Sequence, residues 1–275
     1  MPNFIVGARL HDYGKGTPDE LFGKVSADGF AAVQLAYKKC VPTVKSYDDV
    51  TDALVAETAA AEKAHRIQVA VLGTYVELAI NDESRLCNVA DFKSQLAVCK
   101  ALGAGCIGTE TTAMSKQPAG TTRAQAQELL CRSLAEILPA AEALGVTVGI
   151  EPVTYHSMNS AAATRHILDT MRSPNLKVIF DMSNLVSAEN VDAQDRIWYD
   201  MGALLGDQIV AVHFKGQAFA PDGSLLHTSL EESRTDYAGA FAMLRQLPQP
   251  ALPVLREEAV PARAASDIAF MKGFF

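Results

Sequence analysis

Four side chains able to hold a metal or move a proton close four separate apolar runs. Val146-Thr147-Val148-Gly149-Ile150 ends in Glu151, Lys177-Val178-Ile179-Phe180 in Asp181, Ile209-Val210-Ala211-Val212 in His213, and Pro253-Val254-Leu255-Arg256 in Glu257. Short β-branched runs of this kind read as buried strands. A charge inside such a strand is costly, whereas at its C-terminal end it can point into a cleft. Two Glu, one Asp and one His converging there make an oxygen and nitrogen ligand set suited to one divalent cation, Mn²⁺, Mg²⁺, Co²⁺ or Zn²⁺. Taken singly, the four have plainer readings. Asp181 could be a helix N-cap and His213 a satisfied core histidine. Their joint placement argues for a metal-dependent enzyme.

The elements that must position them follow from an alternation of short β-type runs and longer Ala-, Leu- and Glu-rich stretches. Strands are predicted at Phe4–Ala8, Ala31–Leu35, Gln68–Leu72, Cys106–Thr109, Thr147–Glu151, Val178–Asp181, Ile209–Phe214 and Val254–Glu257. Helices are predicted near Pro18–Asp28, Asp49–Arg66, Arg85–Leu102, Thr122–Leu144, Ala161–Met171, Val191–Leu205, Tyr237–Leu247 and Pro261–Met271. Thr17-Pro18-Asp19-Glu20 supplies an N-cap, a Pro at the first helical position and a capping-box Glu, and Gly103 and Gly145 are C-cap candidates. Strict βα alternation implies parallel strands with right-handed crossovers. Eight units predict an α/β protein built as a single (β/α)8 TIM barrel over residues 1–275, whose active site belongs at the C-terminal ends of the strands. A dinucleotide-binding sheet is disfavoured, since Gly103-Ala104-Gly105-Cys106 offers only G-x-G, ahead of its strand.

The net charge of −8 argues against nucleic acid as partner, because a phosphate backbone needs clustered Lys and Arg. An odd number of cysteines, Cys40, Cys87, Cys99, Cys106 and Cys131, with no C-x-x-C spacing, argues against a disulfide framework or structural zinc. No signal peptide and no membrane-length apolar run is seen, so the expectation is a cytoplasmic protein acting on a small molecule, with a homo-oligomer left open.

Further candidates lie near the same strand ends. His156 falls in the loop after Glu151, where it could touch a hydroxyl or be a surface histidine. Lys215, two residues past His213, shares its face if the strand continues and could hold an anionic oxygen, or be solvated. Glu110 ends the fourth strand, and Arg9 and His11 follow the first and could line the rim. Trp198 reads as packing between barrel and helix rather than as a sugar platform.

Ile150-Glu151-Pro152-Val153-Thr154-Tyr155-His156, Phe180-Asp181-Met182-Ser183-Asn184-Leu185 and Val212-His213-Phe214-Lys215-Gly216 resemble the xylose-isomerase-like barrel superfamily, in particular its sugar phosphate isomerase/epimerase branch. Gly108-Thr109-Glu110-Thr111 and Leu72-Gly73-Thr74-Tyr75 fall at comparable strand ends. The resemblance implies metal ligands at Glu151, Asp181, His213 and Glu257. Glu258 is adjacent to the last of these, and only one of the two can face inward. It also implies substrate contact at position 184. Many epimerases have a His there; Asn184 can hydrogen-bond a hydroxyl but cannot act as a general acid. The implied chemistry is proton abstraction beside a sugar carbonyl through a metal-stabilised enediolate, with Glu151 and Glu257 as the acid/base pair. The sugar could be free, phosphorylated or a sugar acid. The alternatives are a keto-polyol dehydratase of the inosose type, with His156 as a candidate general acid, and a non-catalytic sugar-binding barrel or partner subunit.

Overall fold

The computed structural model describes residues 1–275. Its strands are β1 (Asn3–Arg9), β2 (Ala32–Leu35), β3 (Gln68–Gly73), β4 (Cys106–Glu110), β5 (Val148–Glu151), β6 (Leu176–Asp181), β7 (Ile209–Phe214), β8 (Gly216–Phe219), β9 (Leu225–Thr228) and β10 (Ala251–Arg256). All but β8 and β9 pair in parallel and close into a barrel, β1 returning to β10 with Asn3 opposite Ala251. The helices are α1 (Pro18–Ala27), α2 (Tyr37–Cys40), α3 (Asp52–His65), α4 (Ser84–Leu102), α5 (Arg123–Leu144), α6 (Ala161–Met171), α7 (Gln194–Leu205), α8 (Tyr237–Leu244) and α9 (Ala264–Lys272). This is the TIM-barrel fold that the eight βα alternations predict.

Local signals explain where the helices begin and end. Thr17 caps α1 in a full capping box with Glu20, with Pro18 at the first position. Gly103 and Gly145 close α4 and α5 in the left-handed region, φ 63° and 68°. Two expected starts are late. α3 begins at Asp52 because Thr51 is its cap. α7 begins at Gln194 because Ser187–Asn190 forms its own turn, with the Asn190 side chain bonded to Ser187 N–H and Leu185 C=O. β10 ends at Arg256, one residue short of the expected boundary, so Glu257 stands just beyond the ladder.

The core has two layers. Small and branched residues, Ala32, Ala70, Val71, Cys106, Ile179, Ala211 and Leu255, fill the barrel interior. A larger apolar layer joins the strands to the surrounding helices; there Trp198 is buried with its ring edge-on to Phe180, as expected of a packing residue. Gly108 and Gly149 make room in the interior for Ile179: a Cβ on Gly108 would lie 2.4 Å from Ile179 Cδ1, and one on Gly149 2.8 Å from Ile179 Cγ1. The filled interior leaves the site only the rim.

The antiparallel hairpin β8–β9 rises after β7 and was not expected, since its four-residue strands, β9 exposed and β8 buried in its first half, carry no clear period. Gln217 anchors it, donating to the carbonyls of Ser183 and Val186. No helix is long and apolar enough to cross a membrane.

Candidate active site

Strand register sets the candidate residues at one height. Glu110 on β4 pairs with Glu151 on β5, and Asp181 on β6 pairs with His213 on β7. Glu151, Asp181, His213 and Glu257 are all buried at that rim. Glu151, Asp181 and His213 each offer a ligand atom, and these atoms lie within 4.8 Å of one another. His213 Nδ1 is 3.0 Å from Glu151 Oε2 and 3.5 Å from Glu257 Oε1. Glu257 therefore adjoins the trio without belonging to that tighter set. Glu258 turns away: its backbone is left-handed, φ 54°, and its carboxylate meets Arg9 at 2.8 Å.

Asp181 serves two purposes. Oδ1 accepts the backbone N–H groups of Ser183 and Asn184, both at 2.8 Å, which is the cap expected of an Asp at a strand-to-loop turn. Oδ2 faces the Lys215 ammonium at 2.9 Å as an ion pair, without hydrogen-bond alignment. Lys215 Nζ also stands 3.5 Å from Glu257 Oε2 and so bridges two of the acids. Ser183 and Tyr237 hydroxyls donate to the Lys215 carbonyl and hold this residue in place. Asn184 Nδ2 donates to Glu151 Oε1 at 2.6 Å, orienting that carboxylate.

The electrostatics are those of acids and cations crowded out of water. Burial pushes the Glu257 carboxyl up, but His213, Lys215 and Arg9 outweigh it and leave it at about 2. Burial favours neutral His213, yet Glu257 and Glu151 carry it up to about 9. Asp181 is raised, first by burial and despite Lys215. Burial alone would lower Lys215, but Asp181 and Glu257 hold it well above its ordinary value.

The donor set fits a divalent cation on two observations. His213 Nε2 is buried with no partner at all, while His213 Nδ1 and Asp181 Oδ2 meet only Glu151 at 3.0 Å and Lys215 at 2.9 Å, without hydrogen-bond alignment. Buried polar atoms left this way are expensive unless something satisfies them. A hard or borderline cation is the natural partner for carboxylate oxygens and an imidazole together.

Beside the cluster lies a narrow cleft lined by Glu151, His213, Glu257, Glu110, Gln34 and Tyr75 among others. A wider polar vestibule adjoins it, with His156, Lys116 and Lys39 on its wall. His156 is neutral at physiological pH, lowered to about 4 by burial and then by Lys116, Lys215 and Arg123. Glu110, partly exposed, is raised to about 8 by burial and then by Glu151, and its Oε2 is 3.8 Å from His156 Nε2. His11 packs edge-on to Tyr75, with the ring centres 5.7 Å apart.

The profile of the xylose isomerase-like TIM barrel family matches residues 22–273. The chain belongs to this family. No curated protein sequence matches it. Among solved structures, the 3-keto-D-glucoside 4-epimerase YcjR of E. coli superposes with TM-score 0.72 at 17% identity, covering 98% of this chain and 100% of that one. A D-tagatose 3-epimerase-like protein gives 0.77 at 13%, covering 100% and 97%. The IolI protein with a bound zinc atom gives 0.74 at 15%, covering 100% and 96%. At these identities the likeness is one of fold.

Of the residues picked out from the sequence of this family member, Glu151, Asp181, His213, Glu257, Lys215 and Asn184 come together, while Glu110 and His156 line the approach. Gln34 and Tyr75 also face the cleft and were not picked out. Gln34 interrupts the apolar run Ala32-Val33-Gln34-Leu35, and that interruption was the available signal.

Proposed function

We propose that the protein is a divalent-metal-dependent isomerase or epimerase of a keto sugar or sugar derivative, working by proton abstraction next to a carbonyl. The observation that carries this reading is the buried cluster of Glu151, Asp181, His213 and Glu257, in which His213 Nε2 has no partner. The sugar epimerases of the same fold support the substrate class, and the zinc in IolI supports a metal.

Glu151, Asp181 and His213 would hold the cation, with Glu257 as the fourth member. When bound, the cation supplies positive charge beside the substrate's carbonyl oxygen and so acidifies the neighbouring C–H. Glu257 is ionised at neutral pH and so can accept a proton, although its cationic neighbours make it a weak base until they turn to the substrate, and Glu151, oriented by Asn184, is the second carboxylate that removes or returns a proton. The Lys215 ammonium can turn from its acids to a substrate oxygen that gains charge.

One observation favours a second reading, loss of water from a keto-polyol. A dehydratase needs an acid at the departing hydroxyl. Neutral His156 is a poor donor, but Glu110, raised to about 8, retains its proton at neutral pH.

The experiment is incubation of Mn²⁺-loaded protein in D₂O with ketoses, keto-polyols and their phosphates, followed by NMR. Deuterium entering one carbon next to a carbonyl is the expected result. An inverted centre then means epimerase, a moved carbonyl isomerase, and loss of water dehydratase. No deuterium uptake by any member of the panel counts against the reading.

A further inference from the structure

Across the cleft from the acids, three local features bring Gln34 and Tyr75 together. The pairing of β2 with β3 shifts register between Val33 and Gln34, an irregularity that re-aims the following side chain. Tyr75 sits at φ 50°, a left-handed backbone that a bulky residue adopts only at a cost. Gly73 leaves space between them: a Cβ there would be 3.1 Å from Tyr75 Cε2 and 3.3 Å from Gln34 Nε2. Gln34 Nε2 then donates to Tyr75 Oη at 2.8 Å.

The pair is half satisfied. Gln34 is buried, with 4% of its surface exposed, and its Oε1 has no partner. Turning the amide over would give Tyr75 the oxygen and leave the NH₂ unpaired, so one end stays free either way. With Oη accepting from Gln34, the Tyr75 hydroxyl keeps a proton to donate. His11 stands edge-on to Tyr75, and its buried Nδ1 is also unpartnered. Gln34 and Tyr75 line the same cleft as Glu151, His213 and Glu257. An amide, a phenol and an imidazole match the donor and acceptor character of a neutral hydroxyl, while the Lys39 ammonium, 3.3 Å over the Tyr75 ring, is the competing anchor that a phosphate would use.

We infer that Gln34, Tyr75 and His11 form a hydroxyl-recognition subsite that binds the substrate's carbon chain away from the reacting carbon, and so selects which centre is presented to Glu151 and Glu257. This rests on the sugar-enzyme reading above. A site built to bond a hydroxyl discriminates strongly against a ligand that lacks it, because its own polar groups are then left unpaired.

The test measures two quantities on Mn²⁺-loaded wild type, Gln34→Leu and Tyr75→Phe: calorimetric Kd for D-fructose, D-tagatose, D-psicose and their 6-phosphates, and deuterium uptake from D₂O. Circular dichroism checks that the variants are folded. The expected result is that Gln34→Leu weakens the best neutral ketohexose by roughly tenfold and flattens the preference among the three sugars, with a smaller loss for Tyr75→Phe. Unchanged Kd values in both folded variants would overturn the subsite, as would the absence of ketohexose binding to wild type. A preference for 6-phosphates that survives Gln34→Leu and is lost in Lys39→Gln would overturn it too. Uptake in wild type with sugar preference untouched by Gln34→Leu removes the subsite and keeps the proton-abstraction reading. Altered preference with no uptake in any protein does the reverse.

Discussion

Glu257 and Glu258 are adjacent carboxylates with opposite surroundings, one buried among His213, Lys215 and Arg9, the other half exposed and paired with Arg9. Glu257→Gln and Glu151→Gln should each lower deuterium exchange by about 10²–10⁴-fold, while Glu258→Gln leaves it close to wild type. The reverse ranking in single-turnover exchange assays would reassign the acid/base pair. Lys215 competes with a bound cation for Asp181 and Glu257, so Lys215→Met should tighten Mn²⁺ binding by roughly tenfold or more while slowing exchange. Weaker binding in calorimetry would contradict that competition. His156 gives a prediction in pH. Its folded pKa, about 4, lies below the ordinary value of 6.5, so between these values the unfolded chain binds the extra proton. Its contribution to stability is full above pH 6.5 and is lost as pH falls toward 4. His156→Gln should flatten the rise of unfolding free energy across that window by up to about 1.4 kcal/mol per pH unit, read from denaturant curves at several pH values. Identical slopes would contradict it. Glu151, Asp181 and His213 stand out in the sequence because each is polar and ends an apolar run. Glu257 against Glu258 does not, because strand alternation says that one of them faces inward without saying which. Gln34 shows in the sequence only as a polar break in its apolar run; the register shift that aims it involves β3 as well as β2 and cannot be read from either run.

Among elements, the strands and long helices could be read from the chain because each carries its own period and caps, Thr17 and Gly145 being the clearest. The β8–β9 hairpin could not, since Gln217 ties it to the loop after β6 through long-range bonds. Interior fit is also a matter between elements. Gly108 on β4 is small because Ile179 on β6 reaches across to it. Gly108→Ala should cost about 1–3 kcal/mol through overpacking, and Ile179→Val, which removes the offending Cδ1, should recover part of that in a double-mutant cycle. Additive effects in urea unfolding would show that the two do not share the space as described.

At the scale of the whole molecule, barrel closure turns four distant residues into neighbours. Each candidate follows a different strand, and the parallel register delivers them to one rim. The net charge of −8 argues against a phosphate backbone as partner. Duplex DNA should therefore show no appreciable binding at physiological salt by fluorescence anisotropy, and specific incision of a duplex would redirect the function toward a nuclease. The central claim is that this rim holds a divalent cation, and the most direct measurement is calorimetric titration of Mn²⁺ into chelator-stripped protein, beside Asp181→Asn and His213→Gln variants of intact fold. Wild type should show one saturable site per chain, and both variants should lose it. No saturable binding in wild type, or a site that survives both substitutions, would contradict that claim.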